Sequence, residues 1–359
     1  MRVKKYFIMG LVLVFVFAFQ LAGLATGQGN LPNIKILATG GTIAGTGASS
    51  TTTVGYTAAT VGIETLIQAV PEMKNVANVS GEQFVQIASE NMTNDIWLKL
   101  GKRVNELLAS SDVDGIVITH GTDTIEETAY FLDLVVKSEK PVVLVGSMRP
   151  STAISADGPI NIYNAVVLAG SKNAWGKGVL VAMNDTIHSA REVTKSSTFL
   201  VDTFRAAELG ALGYIQQNKA LFYREPARRH TIYSEFDIRY INTLPRVDIV
   251  YGYSNNTRVG LDAMVENGAQ GIVHAGTGNG SLYKEVKEGL IDARKAGVIV
   301  VRSSRVGNGM IARNGEANDD ELDFVASDTL NPQKARVLLM LALTKTKNTQ
   351  EIQQMFWQY

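Results

Sequence analysis

The chain has no cysteine, so it can form no disulfide and attach no lipid through a thiol, and its stability must come from packing. Histidine is scarce: His120, His188, His230 and His274 are scattered without metal-ligand spacing, which excludes a metal or redox role and leaves no cofactor to expect. Net charge is lacking as well. The 34 basic residues equal the 34 acidic ones, so nothing in the balance attracts nucleic acid. No internal repeat or low-complexity tract stands out. What remains, 359 residues at 45% hydrophobic and 19% charged, is an ordinary globular composition, long enough for two domains.

The first residues are best set aside. Arg2, Lys4 and Lys5 precede an apolar run from Phe7 to Phe19 that continues past Gln20 to Leu24, and small residues follow from Ala22 to Gly27. This is the layout of a signal peptide over residues 1–27, cleaved between Ala25 and Gln28. The alternative is a single membrane anchor, because the stretch is close to bilayer-spanning length; the small-residue exit favours cleavage. No acid precedes residue 31, so removing Arg2, Lys4 and Lys5 (34 − 3 = 31 bases against 34 acids) leaves a charge near −3. The address expected is the periplasm or the exterior, with no membrane contact after cleavage.

Past residue 31 the pattern is strand, turn, helix, repeated. Ile34–Ala38, Gly115–Thr119, Pro141–Val145, Gly178–Met183, Val247–Tyr251, Gly271–Ala275 and Val298–Val301 are Val- and Ile-rich and apolar on both faces, as buried parallel strands read. Helices are expected over Glu126–Val136 and over Pro159–Ala169, the second with Asp157 as an acidic N-cap. Periodicity fails over Asn218–Phe236, which reads as linker with room for a hairpin. The fold class is therefore α/β in two domains, a larger one over 31–220 and a smaller one over 246–359, joined by 221–245.

Two stretches, Ile34–Gly45 (IKILATGGTIAG) and Gly115–Tyr130 (GIVITHGTDTIEETAY), each run an apolar strand into a Gly/Thr turn and toward a helix. Ligands of open parallel α/β sheets sit beyond the carboxyl ends of strands, so the two turns can place Thr42 and Thr122 in one crevice. Glycine lets the backbone come close and leaves amides for a developing oxyanion. The first turn lacks the Gly-Lys-Ser/Thr ending of a phosphate loop and misses dinucleotide spacing. In the second, Thr or Asp could simply cap a helix, with Glu126 and Glu127 at its positive end; functionally, Thr122 supplies a second hydroxyl and Asp123 a charge for a substrate ammonium. A threonine hydroxyl needs a proton acceptor, and Lys195, following the strand Gly178–Met183, is the candidate; alone it would be a solvated surface residue.

Together ATGGTIAG, ITHGTDTIEETAYF, SMRPSTAISADGP, MNDTIHSAREVTKSS and SSRVGNG resemble the bacterial type II L-asparaginases, the exported branch of the asparaginase/glutaminase family, in order from Leu31 to Tyr359. The resemblance implies a mainly parallel, flavodoxin-like sheet in the larger domain. It implies hydrolysis of the side-chain amide of L-asparagine to aspartate and ammonia, with Thr42 as nucleophile, Tyr56 of the loop Gly45–Val61 helping to activate it, and Thr122, Asp123 and Lys195 as a second triad. Ser89 would bind the substrate α-carboxylate and Asp123 its α-amino group. Asn279 and Glu316 would reach across a subunit interface of a homotetramer built as a dimer of dimers. Glu316 lies in a segment, Ile311–Asp323, that departs from the commoner sequences, and Glu90 stands where many members carry glutamine, as in members with glutaminase activity. Gly55 is a possible hinge for a lid over the site. Whether Thr42 or a water guided by Thr122 attacks first is left open by sequence. The competing readings are a periplasmic amino-acid-binding protein and an inactive paralogue; a binding protein would need neither two threonines nor Lys195.

Overall fold

Short Val/Ile runs that are apolar on both faces are stable only when both faces are covered, and here they form the centre of a layered molecule. The computed structural model describes residues 30–359; the leader read as a signal peptide over 1–27 lies outside them. In chain order the strands are β1 (Asn33–Gly40), β2 (Asn78–Ile87), β3 (Gly115–Thr119), β4 (Val142–Val145), β5 (Val179–Met183), β6 (Thr186–Ser189), β7 (Thr194–Lys195), β8 (Phe204–Arg205), β9 (Gly213–Gln216), β10 (Lys219–Phe222), β11 (Val247–Tyr251), β12 (Gly271–Gly276), β13 (Ile299–Ser304) and β14 (Val325–Ala326). All the apolar runs anticipated from sequence are among them, with small changes at their ends.

An eight-stranded sheet has the order β10-β9-β6-β5-β4-β3-β1-β2. It is parallel from β2 to β5 and antiparallel beyond. Its parallel part therefore runs 2-1-3-4-5, the flavodoxin-like doubly wound order, in which the direction of winding reverses between β1 and β3 and a crevice opens at their carboxyl ends. Ala38 of β1 pairs with Thr119 of β3, so the two strands stop level and release their loops side by side. Part of the region without periodicity proves ordered: Lys219–Phe222 pairs with Gly213–Gln216 as a hairpin on the sheet edge, turning through Gln217 and Asn218 at φ 51 and 61.

The second sheet, β11-β12-β13-β14, is parallel throughout. The helix Pro332–Ala342 is buried along nearly its whole length, apolar from Val337 to Ala342 and carrying Gln333, Lys334 and Arg336 in its first half, and it packs against β11, β12 and β13 on one side and the helix Ile125–Val135 on another. One continuous core consequently includes Ile36, Phe131, Val273 and Leu338.

The expected helices form as Ile125–Val135 and Gly158–Ala169. Asp157 holds the N-cap position of the second but does not cap it through its side chain. Its carboxylate instead accepts from the Met148 and Arg149 amides, both at 2.9 Å, and from Asn161 Nδ2 at 3.1 Å. Two adjacent loop amides compete better for this carboxylate than the helix's own first turn, and the result is a fixed loop after β4.

Candidate active site

The turn after β1 contains Gly40 and Gly41 at φ +111 and +80, backbone that L side chains rarely adopt. The reason for glycine at 41 is also spatial. A Cβ on Gly41 would lie 2.3 Å from the Gly121 backbone, and one on Gly121 would lie 2.6 Å from Ser89 Oγ. Loops following β1, β2 and β3 thus converge on one point, and the first two glycine turns touch backbone to backbone. Gly41→Ala is expected to lower the melting temperature, because backbone at φ 80 and ψ −169, a region essentially confined to glycine, costs any other residue about 1–3 kcal/mol and the clash adds to it, and to lower kcat by separating the turns. Thermal denaturation and turnover measured on the same preparation check this; a variant unchanged in both would show that the contact is dispensable.

Thr42 is buried, and its Oγ1 lies 2.6 Å from the Tyr56 hydroxyl. The loop that brings Tyr56 back is pinned where Thr46 and Thr57 exchange backbone hydrogen bonds and where the Ala59 amide donates to Gly41 O. At its tip Gly55 has φ +69 and open space around it. On the other side, Lys195 Nζ donates to Thr122 Oγ1 at 2.9 Å and to Asp123 Oδ1 at 2.5 Å. Thr122 and Ser89 are buried; the Asp123 carboxylate is 62% exposed and free to meet a solute. Thr42, Tyr56, Ser89, Glu90, Thr122, Asp123 and Lys195 all line a single open cavity of about 500 Å³.

Lys195 is held from below. It lies on the two-stranded ribbon of β7 and β8, and the segment before it is gripped by Lys334, a lysine 2% exposed whose Nζ donates to Val193 O and, at 2.8 Å, to Arg191 O. Burial pulls the Lys334 pKa down to about 8, against the opposing pull of the Glu126 carboxylate 3.7 Å away. Glu126 is itself bound by Gln333 Nε2 at 2.9 Å and Asn331 Nδ2 at 3.1 Å. A helix-start acid in sequence is thus also the counter-ion of a buried lysine.

Asn279 and Glu316 are not among the residues lining this cavity. They share a separate platform: Ser281 Oγ donates to Glu316 Oε2 at 3.2 Å, and Asn279 Oδ1 accepts from the Ala312 amide at 2.9 Å. Underneath is the fully buried pair Arg302–Asp319, whose guanidinium also donates to the Asn279, Gly280 and Ala312 carbonyls while Asp319 accepts from the Asn314 amide. Both charges of this buried pair are matched and hydrogen-bonded, which is what makes it tolerable.

Sequence reasoning missed several lining residues. Met148 and Arg149 come from the loop that Asp157 fixes, and Thr198 and Phe199 from the turn between β7 and β8. Phe199 is 70% exposed, and an aromatic next to Leu200 in a Ser/Thr-rich turn was the available signal.

Residues 33–228 match the family model described as asparaginase, N-terminal, and residues 246–356 match the glutaminase/asparaginase C-terminal domain. The chain is 58% identical over 335 residues to L-asparaginase 2 of Bacillus subtilis, covering 93% of this chain and 88% of that protein. It is 54% identical over 352 residues to the glutaminase-asparaginase of Pseudomonas fluorescens, covering 98% and 97%. Among solved structures, the probable cytoplasmic L-asparaginase of Campylobacter jejuni superposes with a TM-score of 0.89 at 51% identity, covering 91% of this chain and all of that one.

Proposed function

Because the chain belongs to the asparaginase/glutaminase family, we propose that it hydrolyses the side-chain amide of L-asparagine to L-aspartate and ammonia, and that of L-glutamine as a second activity. The observation that carries the reading is one cavity holding two threonine hydroxyls, each with its own proton-handling partner: Thr42 with Tyr56 at 2.6 Å and Thr122 with Lys195 at 2.9 Å. Thr42 Oγ1 attacks the amide carbon and gives its proton to the Tyr56 oxygen as the Tyr56 hydroxyl passes its own proton to the departing nitrogen; amides at the junction of the two glycine turns stabilise the oxyanion, and the C–N bond breaks to release ammonia. Water, activated through Thr122 and Lys195, then hydrolyses the β-aspartyl ester and restores the Thr42 hydroxyl. Ser89 takes the substrate α-carboxylate.

Asp123 has a double task in this scheme. Without substrate its carboxylate faces Lys195, and with substrate it also faces the α-ammonium, so one carboxylate holds the substrate and the lysine in register. Ammonia release measured with asparagine and with glutamine tests the reading; binding of either amide without release would make the chain an amino-acid-binding protein.

We also propose that 31–220 and 246–359 serve as the two domains, that the leader directs export to the periplasm, and that the active form is a homotetramer, a dimer of dimers in which Asn279 and Glu316 complete a neighbour's site. Their placement outside the single-chain cavity supports this. If it holds, inactive Thr42→Ala and inactive Glu316→Ala subunits regain partial activity on co-refolding, since one heterodimer site draws Thr42 and Glu316 from different chains. No recovery in verified heterodimers would remove the shared-site model.

A further inference from the structure

Beneath the turn that carries Thr122 runs a chain of four groups. His120 is fully buried; its Nδ1 lies 2.7 Å from Gly121 O and its Nε2 2.9 Å from Thr128 Oγ1. Trp97 Nε1 lies 2.8 Å from the same Thr128 Oγ1. Chemistry fixes every direction. A carbonyl oxygen only accepts, so Nδ1 carries the hydrogen. Burial pushes the His120 pKa down to about 4, so the ring is neutral at working pH and Nε2 accepts. The Thr128 hydroxyl must then donate to Nε2, and it accepts from the indole N–H, which can only donate.

A buried histidine is often no more than filling. His188 and His274 show what that looks like in this molecule, since their ring nitrogens find no hydrogen-bond partner among the described residues, whereas both nitrogens of His120 are satisfied in a directed series. The acceptor at the end of that series is also telling. The Gly121 carbonyl belongs to the peptide linking Gly121 to Thr122, and Gly121 is the residue against which Gly41 packs. Rotation of this peptide would move Thr122 and disturb the junction of the two turns together.

We propose that His120 is a positioning residue, its Nδ1–H tautomer held at a fixed angle by Thr128 and Trp97, and that its bond to Gly121 O sets the orientation in which Thr122 meets Lys195 and substrate. The proposal rests on the reading of Thr122 as a catalytic group.

Thr128→Val tests it by removing the hydroxyl while keeping the shape. With no donor facing Nε2 and no acceptor left for the Trp97 N–H, the ring keeps its Nδ1–H but loses the anchor that fixes its angle to Gly121 O. The expected result is a fall in kcat of about ten-fold, the scale of a small misplacement of a catalytic group, with KM much less affected. Nitrogen-15 spectra of histidine-labelled protein should show His120, assigned by its loss in His120→Gln, as Nδ1–H in the wild type, with the Nε2 signal shifted in Thr128→Val as its hydrogen bond is lost. Thr128→Ser, which restores the hydroxyl, should recover both turnover and the wild-type Nε2 signal. An Nε2–H signature for wild-type His120 would overturn the proposal, and so would wild-type kcat in Thr128→Val or an equal defect in Thr128→Ser. The spectra stand apart from the reading beneath them: if Thr122→Ala kept full turnover, Thr122 would lose its role while the tautomer remained measurable.

Discussion

Replacing Thr42 by alanine is expected to lower kcat by about 10²–10⁴-fold or more, at least the range that a single positioned catalytic group supplies, while the protein stays folded. The hydroxyl sits in an open cavity at the end of β1, not in the core, so its removal leaves no large void. Tyr56 loses its partner but keeps its place, because its loop is held by backbone bonds at Thr46, Thr57 and Ala59. Thr122→Ala should lose turnover on the same scale, through loss of the hydroxyl that faces Lys195. Turnover with asparagine and a circular dichroism melt on the same samples decide the matter. Retention of more than about a tenth of wild-type kcat by either variant would remove that residue from its assigned role.

Lys195→Met is expected to be almost as damaging to kcat, by about 10²-fold or more, and to leave KM unchanged or lower it. The stem remains and continues to fill its place on the ribbon, but Thr122 loses its proton partner. Asp123, relieved of the lysine 2.5 Å away, has only the substrate ammonium to serve, which is why affinity should not suffer. Lys195→Arg should not rescue turnover, since a guanidinium keeps the ion pair with Asp123 and does not release its proton. Steady-state kinetics separate the possibilities: a raised KM with normal kcat would make Lys195 a substrate-binding group.

The buried parallel strands were legible in the sequence because doubly covered strands must be apolar throughout, and β1, β3, β4, β5, β11, β12 and β13 are. β2 was not. Its sequence, NVSGEQFVQI, is mixed because it lies at the sheet edge, half exposed along its length. The hairpin of β9 and β10 was legible only as room for one in an aperiodic stretch, for a similar reason, its polar residues alternating outward at the opposite edge. Thr42 and Thr122 could be paired in advance because register and winding order follow from the fold class. The link between Asp123 and Lys195, by contrast, spans 72 positions and came only from family likeness. Directed bonds such as Trp97 to Thr128 to His120 leave no periodic trace, since a tryptophan and a threonine on two helices look like ordinary core residues.

The grip of Lys334 on the carbonyls of Arg191 and Val193 also has a bearing on the order of events in the cell. A ribosome makes about 5–20 residues per second, and 139 positions (334 − 195) separate the catalytic lysine from the one that steadies it, so the first waits roughly 7–28 s for the second. Once Phe199 is made, four residues into that interval, the nascent chain holds every residue lining the cavity, yet the ribbon beneath Lys195 has nothing to rest on. Catalytic competence should therefore arrive late in synthesis, after the helix Pro332–Ala342 has docked, and a chain handed to an export pathway before folding would cross the membrane with its amidase chemistry still unassembled.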